Sequence, residues 1–358
     1  MKDLLKITVI LLCSYLFVAC SSSDDSAGLV LKNSKNTIKN TNTDSVVFTV
    51  MYGDMDVTAQ SKIMVNGKET LKGNYFATDK AGDYVFTARY DAFTSNDVRV
   101  KVTLANEFVK KALVQQFTGT GCIWCPQVNE ALQTCFVAEP TRIVCLAFHN
   151  SYIDFADPFY FEEIDKVAAF NELSARELPL AQIDYDYGFV ASDKVSRFDI
   201  SLNKVGDVGV AITSTLSGRD LSVTVKSKCI SNFTDPLLFG VYLTEDKLIA
   251  RQKKGDPLNK TAPIVIVEDY EHNNVVRHNL SKLVGDLIPA DKCQKGMEYQ
   301  QVYSFTIPAG YKIENMHIVA YVFREYTRNI GGKEQDWKEV RNVQKAKLNV
   351  DAPYEYVD

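Results

Sequence analysis

The sequence predicts an α+β multidomain protein: an N-terminal immunoglobulin-like β-sandwich, a central thioredoxin-like α/β domain and a C-terminal β-sandwich. Three observations predict this order. Apolar and polar residues alternate with the period of β-strands within residues 45–105 and again within 196–358. Between them, the pattern of residues 106–195 indicates strand, helix, strand, helix, strand, the order of a thioredoxin-like unit. A Cys-x-x-Cys motif lies where the first of these strands would meet its helix.

The first residues resemble a bacterial lipoprotein signal. Lysines precede an uncharged apolar run from Ile7 to Ala19, which is too short for a comfortable membrane span. The run stops at Cys20, so we expect a signal peptide over residues 1–19 and a lipid anchor on Cys20. Residues 20–44 are rich in Ser, Asn, Thr, Asp and Lys, which predicts a flexible tether. The alternative is an ordinary signal peptide with an incidental Cys20.

Hairpin signals support both predicted sandwiches. Asn66-Gly67 follows a short apolar strand and suits a tight turn that needs positive φ. In the second sandwich, Val210–Leu216 and Leu221–Val225 flank a turn of Ser, Gly, Arg and Asp. Around residues 250–295 the alternation weakens, and we expect an irregular excursion there.

Composition excludes several classes of function. The net charge is −5 and no basic block occurs, so nucleic acid is not an expected partner. No Gly-rich phosphate loop, nucleophile elbow or paired-carboxylate motif is present, and we expect no cofactor. A zinc site needs about four ligands, and no second Cys-x-x-Cys or close Cys/His pair exists. No metal site is therefore predicted.

The motif Cys122-Ile123-Trp124-Cys125 is the most chemically specific feature. Two intervening residues let both sulfur atoms meet across the first helical turn, near unpaired amide hydrogens and the positive end of the helix dipole. These effects favour a thiolate on Cys122, which would attack disulfides while Cys125 resolves the mixed species. Pro126 fits the first turn of a helix. The alternative is a static structural disulfide.

Three further residues bear on this choice. Pro179 would occupy a cis-proline loop facing the cysteines, as in thioredoxin-like folds. His149 would follow a strand at its carboxyl end, where it could lower the pKa of Cys122 or be an ordinary loop residue. Gln116 stands where thioredoxins that turn over carry a buried acid, which argues against efficient reduction.

The remaining motifs have weaker signals. His272 and His278 are not at a metal-ligand spacing. An acid-rich stretch is expected to be a solvated surface around a helix start: Asp154, Asp157, Glu162, Glu163 and Asp165. Beyond the motif, cysteines in the exported chain are assigned by segment, Cys135 with Cys145 and Cys229 with Cys293.

Several segments resemble a known family. The stretch from Gln116 to Pro126, then Phe148-His149-Asn150 with Asp157-Pro158-Phe159, is similar to the Omp28-related outer membrane lipoproteins of Bacteroidetes, as is the stretch from Tyr270 to Arg277. The resemblance covers roughly residues 107–345. It implies a thioredoxin-like core joined to a β-sandwich, an outer-membrane or surface location, and adhesin or receptor roles. The acids after Cys20 also resemble surface-export signals of such lipoproteins.

Two function hypotheses follow. The first is a surface-anchored recognition or adhesion protein, with the membrane and a protein or glycan as partners. The second is a cell-envelope thiol–disulfide oxidoreductase that uses Cys122 and Cys125. Redox function requires an exposed Cys122 and an exchangeable disulfide, whereas recognition requires an exposed apolar or aromatic patch elsewhere.

Overall fold

The computed structural model describes residues 28–152, 154–175 and 177–357. The predicted signal peptide and Cys20 lie outside the described residues. The chain divides into two compact units, one ending at Ala105 and one beginning at Asn106.

The N-terminal unit consists of two sheets around one core. Its strands are β1 (Leu29–Asn33), β2 (Thr37–Lys39), β3 (Val46–Tyr52), β4 (Met55–Asp56), β5 (Lys62–Val65), β6 (Glu69–Thr70), β7 (Tyr75–Phe76), β8 (Gly82–Tyr90), β9 (Phe93–Thr94) and β10 (Val98–Thr103), with a 3₁₀ turn at Thr58–Gln60. One sheet has the order β1-β3-β4, with β7 paired to β3; the other has the order β2-β10-β8-β5-β6, with β9 paired to β8. Apolar residues at alternate positions of the strands in both sheets form the core, where the ring centroids of Phe48 and Phe86 lie 4.5 Å apart.

The predicted tether is wrong for residues 29–39. These residues form β1 and β2, one strand in each sheet, and Leu29, Leu31 and Ile38 are buried. The physical reason is the alternation of side chains along a strand. Apolar residues at every second position all point to one face, so they can be buried even where the intervening residues are polar.

The second unit contains the remaining strands and all the α-helices of the described residues. Its strands are β11 (Ala112–Thr118), β12 (Ile143–His149), β13 (Leu180–Ile183), β14 (Tyr187–Gly188), β15 (Val208–Ser217), β16 (Asp220–Cys229), β17 (Leu237–Glu245), β18 (Leu248–Lys254), β19 (Val265–His272), β20 (Val275–Asn279), β21 (Asp286–Leu287), β22 (Glu298–Thr306), β23 (Met316–Ile330) and β24 (Lys333–Lys347). The helices are α1 (Cys125–Ala138), α2 (Ile164–Phe170) and α3 (Asp199–Leu202), with 3₁₀ turns at Val195–Phe198, Ala290–Lys292 and Ile313–Asn315.

One large mixed sheet organises this unit. Its order is β14-β13-β11-β12-β20-β17-β23-β24, with β21 paired to β17. Strand β12 is parallel to β11 on one side and to β20 on the other, and the other pairings are antiparallel. Two smaller sheets accompany it, β15-β16-β22 and the β18–β19 hairpin.

The predicted central thioredoxin-like α/β domain is therefore wrong. Among the described residues the protein is mostly β, with 48% in strands and 12% in helices, and part of the large sheet is covered by the strands β15, β16 and β22 where an α/β fold would have helices. The strands β11, β12 and β13 continue directly into β20, β17, β23 and β24, which the sequence had assigned to a separate C-terminal sandwich.

Strand β17 explains why alternation misled the prediction. All nine of its residues are buried, because both faces of the large sheet are covered. Leu237 and Phe239 pack toward the sheet β15-β16-β22, whereas Leu238 and Tyr242 pack toward α2. A run of apolar residues in the sequence predicts a buried strand, but it does not show which other strands lie in the same sheet.

Helix α1 and helix α2 cover opposite faces of the large sheet. Val114 and Cys145 contact the cluster that includes α1, and Leu113 and Phe117 contact the cluster that includes α2. Within the described residues, no helix is both long and apolar enough to cross a bilayer.

Two segment-based assignments are corrected. The region predicted to be irregular contains the hairpin of β18 and β19 followed by β20. The cysteine pairs assigned by segment do not form: Cys135, Cys145, Cys229 and Cys293 are free and buried. Two cysteines in the same segment of the chain need not have their Cβ atoms close enough for a disulfide. These four cysteines instead serve as small apolar side chains of the core.

Gly240 tests the packing of the large sheet. It lies opposite Tyr321, and a Cβ at this position would be 2.2 Å from Cζ of that ring. We expect Gly240→Ala to lower the free energy of unfolding by about 1–3 kcal/mol, because overpacking forces a buried ring to move. Urea denaturation measures the change. The matched control is Gly310→Ala, whose Cβ meets no atom within 4 Å and should cost less than about 0.5 kcal/mol. Equal losses in the two variants would contradict this packing.

Candidate functional site

The disulfide between Cys122 and Cys125 lies at the start of α1. Strand β11 is buried along its whole length and delivers the chain to this loop, and Pro126 occupies the first turn of the helix, as the sequence predicts. The two Cα atoms are 5.4 Å apart. Cys122 is only 4% exposed and Cys125 is fully buried. An attacking thiolate therefore has almost no access to either sulfur atom.

Strand β18 covers the loop that carries the disulfide. The backbone amide of Lys253 donates to the carbonyl of Thr120 at 2.9 Å, and that of Gly255 donates to the carbonyl of Ile123 at 2.9 Å. Both bonds join chain segments that are far apart in sequence, so the hairpin holds the loop as a neighbouring strand would.

A buried side chain completes this cover. Nε2 of Gln252, which is 1% exposed, donates to the carbonyl of Cys122 at 3.0 Å. Next to it, the ring of Trp124 packs so closely on Gly255 that a Cβ there would be 2.8 Å from Cζ3. Sequence reasoning missed this contact because residues 250–295 had no strand prediction.

His149 and Asp157 form a buried pair beside the same loop. His149 ends β12 and is 2% exposed, and its Nδ1 lies 2.9 Å from Oδ2 of Asp157. The same oxygen accepts the amide of Thr120 at 2.7 Å, and Oδ1 accepts the amide of Phe159 at 2.8 Å. His149 is thus tied to the disulfide loop through Asp157.

The prediction that Asp157 is a solvated surface acid is wrong. Asp157 is 6% exposed. Burial opposes its ionisation, but the charge of His149 and the hydrogen bonds from His149, Thr120 and Phe159 lower the pKa of Asp157. Asp157-Pro158-Phe159 has the pattern of an Asx turn, in which an Asp bonds the amide two residues on, but this local pattern does not indicate burial.

His272 is a residue that sequence reasoning did not place at the site. It ends β19, is 4% exposed, and its ring lies 5.2 Å from that of His149 and 5.3 Å from that of Phe159. Burial, followed by the charge of His149, lowers the pKa of His272 to about 3. Its imidazole is therefore neutral at neutral pH.

A cleft of about 320 Å³ lies beside these histidines. Helix α1 forms one wall, the β19–β20 turn forms the other, and β11 with β12 forms the floor. The site residues Thr118, His149 and His272 line it together with Gln116. Its position at the carboxyl ends of two parallel strands is where α/β sheets commonly bind ligands.

Two further predictions concern Pro179 and a metal site. The Leu178–Pro179 peptide is cis and directly precedes β13, which pairs with β11; a role for Pro179 in binding stays a prediction. In the part of the chain that the structure describes, no group of three His, Cys, Asp or Glu side chains could hold a metal ion.

Comparison with known proteins gives one family match. The family model described as outer membrane protein Omp28 matches residues 168–352, which is more than half of the chain. No curated protein matches the sequence.

Two solved structures show distant similarity. HBP35 of Porphyromonas gingivalis is 15% identical; the match covers 68% of this chain and 77% of that chain, with a TM-score of 0.48. A protein of Agrobacterium tumefaciens is 13% identical; the match covers 70% of this chain and 99% of that chain, with a TM-score of 0.39. Both similarities are too weak to assign a function.

Asp157 should stabilise the protein through its charge. Both carboxylate oxygens accept hydrogen bonds, so Asp157→Asn leaves one buried donor without an acceptor. We expect a loss of about 1–3 kcal/mol in the free energy of unfolding at neutral pH. Because the folded pKa lies below the unfolded value of about 3.9, this stabilisation is complete above that pH and is lost as pH falls through the folded pKa.

Urea unfolding of both proteins at neutral and at acidic pH measures the effect. The difference in the free energy of unfolding between the wild type and Asp157→Asn should become smaller at acidic pH. Asp154→Asn is the control, because Asp154 is exposed and its ion pair with Lys253 lies at the surface. A loss for Asp157→Asn that does not depend on pH would count against stabilisation by the charge of Asp157.

Proposed function

Because the chain belongs to the Omp28 outer membrane protein family, we propose that it is a lipid-anchored recognition protein of the outer membrane whose Cys122–Cys125 disulfide is a structural bridge. The anchor is the lipid expected on Cys20, and exposure on the outer face of the membrane is part of the proposal. The partner is a surface protein or glycan.

The observation that carries this proposal is the cover over the disulfide. Cys122 is 4% exposed beneath Gln252 and the backbone of β18. A redox pair that turns over has to present its first sulfur to a partner thiolate. A structural bridge has no such requirement, and the burial favours it.

The bridge supports a binding site through a short series of contacts. The disulfide restrains the loop, the loop hydrogen-bonds to β18, and β18 pairs with β19 through Ala250 and Tyr270. Strand β19 then supplies Tyr270 and His272 to the wall of the cleft. Because the walls of the cleft are already held in place, a ligand does not have to order them when it binds, and this favours its affinity.

Oxidoreductase activity is the second candidate. One observation favours it: α1 begins at Cys125 and Cys122 lies just before it, where the helix dipole would stabilise a thiolate on Cys122 after reduction. The two candidates differ in how fast the native disulfide reacts.

We expect the disulfide to resist dithiothreitol in the native protein and to react once urea unfolds the chain. The native reaction should be slower by at least about a hundredfold, because attack first requires local opening of the hairpin. Alkylation followed by peptide mass spectrometry of Cys122 and Cys125 gives both rates.

Gly255→Ala provides a sensitised variant. Its Cβ would press on the Trp124 ring and push the hairpin away from the loop, so the native disulfide should be reduced faster. Gly310→Ala, which has open space, should react like the wild type. Rapid reduction of the wild-type protein, or catalytic reduction of insulin, would contradict the structural role.

The anchor is tested separately with Cys20→Ala. Without its thiol the chain cannot be acylated, so labelling with a fatty-acid analogue should vanish and the protein should leave the membrane fraction. Cys13→Ala is the matched control, because Cys13 lies within the expected signal peptide and should not affect labelling. Unchanged labelling of Cys20→Ala would refute a lipid on this residue.

A further inference from the structure

We propose that the cleft between α1 and the β19–β20 turn binds a single neutral hexose, free or at the end of a glycan. This inference rests on the proposed recognition function and names the class of ligand.

The floor of the cleft changes from apolar to polar along the strands. On the α1 face, Val114 and Cys145 are opposite one another and belong to the apolar core. Farther along the same face, Gln116 lies beside Ala147, and Thr118 beside His149. Gln116, Thr118 and His149 are at most 5% exposed, yet they belong to no apolar cluster. Buried polar side chains at the mouth of a cleft supply hydrogen bonds for a ligand.

The wall residues form a directed chain of hydrogen bonds. Nε2 of Gln116 donates to Oδ1 of Asn129, and Nδ2 of Asn129 donates to the hydroxyl of Tyr270 at 3.2 Å. Since this hydroxyl accepts from Asn129, its own hydrogen is available for another acceptor. Burial raises the pKa of Tyr270, so the phenol keeps that hydrogen. The wall therefore offers a donor to a sugar oxygen.

His272 offers the complementary acceptor. The ring is neutral, and within the described residues its Nε2 is buried without a hydrogen-bond partner. In the tautomer that carries its hydrogen on Nδ1, Nε2 carries a lone pair. A buried acceptor without a partner is unfavourable, and a ligand hydroxyl beside it would remove that cost.

The charge of the lining favours a neutral ligand. No lysine or arginine lines the cleft among the described residues, and His149 is already paired with Asp157, so an anion would find no unpaired cation. Of the two acids at the rim, Glu130 pairs with Nζ of Lys254 at 2.6 Å, and Glu271 is exposed.

Size and shape point to a sugar rather than a larger molecule. Ligand pockets start at roughly 300 Å³, so about 320 Å³ suits one small ring. Leu132, Phe136 and Ala147 supply an apolar surface beside the amides and imidazoles. A pyranose has the same division, with C–H groups on its ring faces and hydroxyl groups around its edge.

Saturation-transfer NMR on the wild-type protein tests the proposal. The neutral probes are the methyl glycosides of glucose, galactose, mannose and N-acetylglucosamine, and the anionic probes are glucuronate and inorganic phosphate. We expect at least one neutral glycoside to bind at millimolar concentration and the anions not to bind.

Two conservative variants locate the site. Asn129→Ala and Tyr270→Phe should each weaken binding by about tenfold, the effect of losing roughly one hydrogen bond. Asn203→Ala and Tyr160→Phe change the same residue types at exposed positions outside the lining and should bind like the wild type.

Absence of binding by all four neutral glycosides to the wild-type protein overturns the proposal, whatever the variants do. Binding of the anions alone, or unchanged affinity in both cleft variants, overturns it as well. The redox test above gives an independent result. A resistant disulfide without sugar binding would refute the ligand class alone, whereas a rapidly exchanging disulfide would refute the structural bridge on which the proposed function rests.

Discussion

The hydrogen bonds between β18 and the disulfide loop determine what the motif at Cys122 can do. In isolation, the loop and the first turn of α1 have the geometry of a reactive dithiol. Two backbone bonds, to Thr120 and Ile123, and one side-chain bond from Gln252 place a strand over it. Because β18 also pairs with β19, the position of β19 depends on the same contacts. One set of bonds thus removes the sulfur atoms from solvent and fixes the wall of the neighbouring cleft.

Both faces of β11 and β12 contain buried polar groups. On the α2 face, Leu113, Phe117 and Phe148 belong to an apolar cluster, but the buried Gln115 lies between the first two and accepts a hydrogen bond from Nδ2 of Asn171 at the end of α2. On the α1 face the apolar cluster ends at Cys145, and His149 follows with its carboxylate partner Asp157. Polar groups in such positions need partners, because an unpaired buried donor or acceptor is costly. Asp157 satisfies this need with three hydrogen bonds, whereas Nε2 of His272 does not have one among the described residues.

Local features were predictable from the sequence because they depend on neighbouring residues. Asn66 and Gly67 both have positive φ in the turn between β5 and β6, as their residue types require. Cys122 and Cys125 meet at the first turn of a helix because their spacing allows it. The fold class could not be predicted, because Ala147 pairs with Val275 and nothing in either strand encodes that partner. The burial of Asp157 and His272 has the same cause: segments distant in sequence cover them.

The position of β20 beside β12 has a consequence for the order of assembly. Strand β12 obtains its second neighbour only from residues 275–279, long after its own residues have been made. A chain delivered amino end first therefore holds β11 and β12 together with an open, apolar strand edge until the later segment arrives. Such an edge pairs readily with other chains. The large sheet is therefore completed only when the carboxyl-terminal half of the chain arrives.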